Sequence, residues 1–89
     1  MAEITVTELG PKLFKVEIEE QGTTSEHRVT VAPDDLEGLP RDSSTSALVE
    51  ASFRFLLDRE PKESILREFE LGVISRYFPE YREEVACYL

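Results

Sequence analysis

Glu3, Glu17, Glu19 and Glu26 lie in segments where apolar and polar residues alternate, so they fall together on the polar side of what reads as one sheet. Carboxylates gathered on one face are the oxygen ligands that a hard cation such as Ca²⁺ or Mg²⁺ takes. Flat strands wrap an ion poorly, and no Asp-x-Asp-x-Asp-Gly loop accompanies them. A solvated acidic face is the simpler expectation, and with Arg28 on the same side it is a candidate docking surface for a basic partner. His27 is the single histidine and falls on the apolar side of its strand, near an edge, where the expected role is that of a satisfied interior or boundary histidine. A small metal binder or enzyme built on His27 and the sheet glutamates is the third functional reading, since a lone imidazole forms no histidine cluster. Cys87, the only cysteine, would need a neighbour that stabilises its thiolate to act as a nucleophile. No catalytic set, metal ligand set or cofactor is therefore assigned.

Tyr77, Phe78 and Tyr81 gather around Pro79. Aromatic side chains anchor interfaces, but in a chain without tryptophan they also supply core volume. Phe78 is expected inside, and Tyr77 and Tyr81 are candidates for partner contact.

The elements that must carry these residues follow from hydrophobic spacing. Glu3–Thr7 and Leu13–Glu19 alternate with period two, as does the stretch containing His27, Val29 and Val31. Turns are expected at Leu9–Lys12 and across Glu20–Ser25. Together they predict a three-stranded antiparallel meander. A register pairing Val16 with Val29 sets Glu17 opposite Arg28 and Glu19 opposite Glu26. The third strand and the first are then the two edges. Ala32–Asp42 reads as a connection holding one helical turn near Asp34–Glu37, with Leu36 and Leu39 anchoring it.

Leu48, Val49, Ala51, Phe53, Phe55, Leu56 and Leu57 recur at helical spacing and predict a long helix, starting among Asp42–Thr45 and ending near Arg59. Pro61 suits the first turn of a second helix, with Ile65, Leu66 and Phe69 inward and Lys62 and Glu68 toward water. Leu71-Gly72 reads as a helix stop with a left-handed glycine, Val73–Phe78 as a short helix, and Pro79–Leu89 as a last helical piece. The fold class is α+β, with the meander packed on the long helix and shorter helices following.

Residues 65–78, ILREFELGVISRYF, resemble the turn region of helix-turn-helix DNA-binding domains. The resemblance implies a DNA-binding regulator acting through Leu71–Tyr77, the second functional reading. The stretch departs from that family's pattern where Pro79 stands in place of a continuing recognition helix, and Arg76 is the only basic residue in the second part.

At 89 residues with a net charge of −9, the chain is expected to be one small acidic domain. The first 40 residues carry three basic and nine acidic side chains, the remainder seven and ten, so the acidity is concentrated in the first half of the chain. Such a field repels phosphate backbones and favours a basic protein partner over nucleic acid. No apolar run approaches the ~20 residues of a membrane span. A start lacking a basic then apolar layout, and a single thiol, suggest a soluble protein of the reducing cytoplasm. The exposed edge of the first strand suggests a monomer or a weak homodimer. A non-enzymatic interaction or adaptor module is the leading expectation.

Overall fold

The computed structural model describes residues 2–36 and 44–89. Strands β1 (Glu3–Glu8), β2 (Leu13–Glu20) and β3 (Thr23–Thr30) form the expected antiparallel meander, and helix α1 (Thr45–Leu57) packs across it. The sheet has four strands in the order β1-β2-β3-β4, because Glu68–Glu70 (β4) pairs parallel to β3. A parallel neighbour requires the chain to cross over between the two strands, and α1 lies within that crossover. Short helices α2 (Ile74–Tyr77) and α3 (Tyr81–Glu84) and a final 3₁₀ turn (Val85–Tyr88) close one end.

The β2–β3 register differs from expectation by two residues, with Phe14 opposite Val29 and Val16 opposite His27. The turn decides it. Gln21 (φ 54°) and Gly22 (φ 78°) both adopt positive φ, the geometry of a two-residue primed turn that matches strand twist. A tight turn at Gln21-Gly22 pairs Glu20 with Thr23, where the expected pairing left a longer loop. A shift of two preserves the face of every side chain, so Phe14, Val16, Ile18, His27 and Val29 are all buried on the α1 side. What changes is the outer pairing: Glu17 faces Glu26 instead of Arg28, Arg28 faces Lys15, and Glu19 faces Thr24.

Helix α1 begins where Ser44 accepts a hydrogen bond from the Ala47 N–H at 3.0 Å, so Ser44 is the N-cap. The expectations for Asp42, Ser43 and Leu39 lie outside the described residues, as does the Leu36 side chain. Leu48, Val49, Ala51, Phe53, Phe55 and Leu56 are buried, and Ser52 shares their side of the helix. Ser52 Oγ donates to the Leu48 carbonyl at 2.7 Å, which leaves the Tyr81 hydroxyl to donate to Ser52 Oγ at 2.6 Å. A buried hydroxyl on the inner face is thereby satisfied by the C-terminal segment.

The second helix expected from Pro61 is not formed. Pro61 is extended (φ −70°, ψ 157°), Lys62–Ser64 make a single 3₁₀ turn, and the chain then runs extended into β4. The alternation Glu68, Phe69, Glu70, Leu71 is a strand pattern; Phe69 and Leu71 turn inward while both glutamates face out. Lys62, expected in water, is 5% exposed, with its ammonium held by Glu63 at 2.6 Å. Leu66, expected inside, is 50% exposed. Gly72 lies in a 3₁₀ turn at Leu71–Val73 and does not take the left-handed conformation expected of a helix stop.

Burial pushes the Tyr81 hydroxyl up to about 12 from 10.0. A raised folded-state value means that the stability from this site is fully present below pH 10, where the unfolded chain also keeps its proton, and is lost as pH rises to about 12. Alkaline titration of urea stability is expected to show a loss of about 2–3 kcal/mol over that window. Tyr81→Phe should remove this component; an unchanged pH profile in that variant would assign it to another group.

Candidate functional site

The structure brings the sheet carboxylates together. Glu3 stands opposite Glu19 and Glu17 opposite Glu26, and β4 adds Glu68 and Glu70 to the same outer face. Against them stand Lys15, whose Nζ lies 3.6 Å from Glu17, and Arg28, which neighbours Glu68 across the β3–β4 ladder. Like charges directly opposite one another disfavour the fold by a few tenths of a kcal/mol or more, so the face gains from any cation that settles on it. Among the described residues no cluster of three His, Cys, Asp or Glu side chains converges as a metal site. Cys87 is exposed in the final turn.

The two candidate tyrosines separate. Tyr77 is 68% exposed, whereas Tyr81 is 4% exposed, with its hydroxyl on Ser52 and its ring edge-on to Phe55 at 5.3 Å. Tyr81 is therefore unavailable to a partner. Four residues apart, the two rings end in different surroundings, one in solvent and one in the core.

Tyr77 instead stands on the rim of a cleft of about 360 Å³ between the end of α1, β4 and α2. Leu56 and Ile74 form its inner wall, Phe69 the wall under the sheet, and Leu66 and Tyr77 its lips. Two large apolar side chains standing this far into solvent beside a concave apolar surface mark a place where burial is still to be gained. Glu60 is the carboxylate of the lining, and partial burial raises its pKa above the ordinary carboxylate value. A second depression of about 350 Å³, beside Ala2 and Leu57, is walled by Glu20, Arg54 and Asp58 and offers both charge signs.

His27 holds the outer wall of the cleft in place. It is 2% exposed, and its Nδ1 lies 2.8 Å from the Leu66 carbonyl. A carbonyl only accepts, so Nδ1 carries the proton, and Nε2 then accepts from Ser25 Oγ at 2.9 Å. The ring also packs on Phe53, 5.5 Å between centroids. With the Arg28 N–H donating to the Arg67 carbonyl at 2.7 Å, it ties Leu66–Arg67 to β3 and aims the chain into β4.

Residues 65–78 do not form the first helix of a helix-turn-helix, since Glu68–Glu70 is a strand and α2 is a single turn closed by Phe78. The cleft residues Glu60, Leu66 and Phe69 do not emerge from the sequence as a group, because helical spacing sets all three on or beside a second helix. The period-two run ending in Leu71 was the signal that could have found them. Comparison of the chain with known protein families, with curated protein sequences and with solved structures finds no match in any of the three. Among the described residues no helix is long and apolar enough to cross a membrane.

Proposed function

We propose that this chain is a non-enzymatic interaction module that docks a basic segment of a protein partner at the cleft between α1, β4 and α2. The observation that carries this reading is the pairing of an apolar cleft, with Leu66 and Tyr77 standing open at its lips, to Glu60 in its lining and Glu68 and Glu70 on the adjoining strand. Apolar anchoring supplies affinity, and the surrounding carboxylates select for positive charge and speed encounter. The net charge of −9 and the lone thiol support a monomer, or a dimer that strengthens only as salt screens repulsion, working in the cytoplasm.

Titrating isotope-labelled protein with mixed-sequence peptide pools of basic, neutral and acidic composition tests the reading. Only the basic pool should shift amide resonances lining the cleft, and Leu66→Asp should abolish the shifts without unfolding the chain, because Leu66 is half exposed. Equal response to all three pools, or response to none, would end this proposal. In the same buffers the free protein should leave duplex DNA unshifted at physiological salt, since its field opposes the phosphates. Submicromolar, salt-sensitive DNA binding would move the function to nucleic acid.

A further inference from the structure

Resting on that docking reading, we infer that the partner segment binds as an added strand running antiparallel beside β4, with basic residues opposite Glu68 and Glu70 and an apolar residue opposite Phe69 seated in the cleft. Among the described residues nothing pairs with the outer side of β4. The Arg28 N–H bonds the Arg67 carbonyl, and a parallel ladder uses alternate residues of each strand. Phe69 therefore turns its backbone groups toward β3, and Glu68 presents its N–H and C=O outward. In an antiparallel neighbour one residue can exchange both hydrogen bonds with Glu68, the pairing found in strand addition.

Side-chain alternation sets the partner's pattern. The residue opposite Glu68 shares the outer face with it, and so does the residue opposite Glu70; the one between them, opposite Phe69, points to the cleft side. Basic, apolar, basic is the complementary sequence. An apolar helix laid over the same place would bury the Glu68 N–H and C=O without partners, which is costly. A second copy of this chain fits poorly, because pairing β4 with itself sets glutamate against glutamate. At the opposite edge of the sheet, β1 has its inner side chains Ile4 and Val6 already packed on the core.

The test uses a short capped peptide alternating lysine and isoleucine, followed by amide chemical shifts of the intact protein. Binding should perturb Leu66, Glu68–Glu70 and Tyr77. N-methylation of every lysine, whose N–H groups face Glu68, should weaken it about tenfold or more, whereas N-methylation of every isoleucine, whose N–H groups face solvent, should change it little. Replacing lysine by glutamate should weaken it by a similar factor. Binding that is indifferent to which residues are methylated, or that perturbs only the outer face of β1–β3, would overturn strand addition while leaving a basic docking module standing. Failure of the peptide to bind at all, when the basic pool does bind, would overturn the strand and its basic-apolar pattern; failure of both removes the docking reading too. Concentration-dependent shifts at Glu68–Glu70 without peptide would make a second copy the occupant and overturn the proposal.

Discussion

Phe55→Ala is expected to destabilise the protein by about 3–5 kcal/mol, a large part of the ~5–15 kcal/mol that holds a domain of ordinary stability together. Phe55 is fully buried and sits at the centre of the C-terminal aromatic group, with Phe78, Tyr81 and Tyr88 edge-on to it at centroid distances of 5.9, 5.3 and 6.0 Å. The Arg59 guanidinium lies 3.6 Å above the ring while bonding Glu80, Glu84 and the Phe55 carbonyl. One ring thus couples α1 to α2, α3 and the final turn, and its loss opens a cavity where those elements meet. Urea denaturation should show the drop, with Tyr77→Ala as an exposed aromatic control within about 0.5 kcal/mol of the parent. A loss below about 1 kcal/mol for Phe55→Ala would mean that the surrounding rings collapse into the space and that this ring does not couple α1 to the C-terminal elements.

His27→Ala should cost about 2–4 kcal/mol, because it removes buried volume beside Phe53 and leaves the Leu66 carbonyl without its donor. His27→Leu separates the two contributions: it nearly keeps the volume, so its loss of about 1–3 kcal/mol reports the broken hydrogen bonds. In both variants amide exchange should quicken at Phe69 more than at Val16, since β4 is short and is tied to β3 through Leu66–Arg67 while β2 is paired on both sides. Binding of basic peptides should weaken in step with that loosening. Equal quickening of β2 and β4 would show that His27 supports the sheet as a whole and does not secure β4 in particular.

Local periodicity alone determined β1, β2, the inner side of β3 and the burial of α1, because a half-buried strand and a half-buried helix each impose their own spacing on apolar residues. The placing of His27 on the apolar side of β3 followed from the same alternation, while its full burial and its bond to the Leu66 carbonyl did not. The acidic outer face did too, for glutamates at every second position can only gather on one side. Tertiary structure decided the rest. The register depended on whether Gln21 would accept positive φ, a choice made by the tight turn and invisible to a match of apolar sides that a two-residue shift leaves intact. The fate of Ile65–Glu70 depended on β3 having an unpaired edge to offer: Ile65, Leu66 and Phe69 suit a helical stripe, but Phe69 between two glutamates suits a strand, and the open ladder beside Arg28 settled the competition. That pairing turned a supposed helix into the wall of a cleft. Tyr81 went inside for a comparable reason, since only the folded chain places Ser52, 29 residues away, where it can receive the buried hydroxyl. Contacts between residues distant in sequence leave no period to read, and although the cleft is lined from one stretch of chain, its wall is set by such contacts, those that tie Leu66–Glu70 to β3.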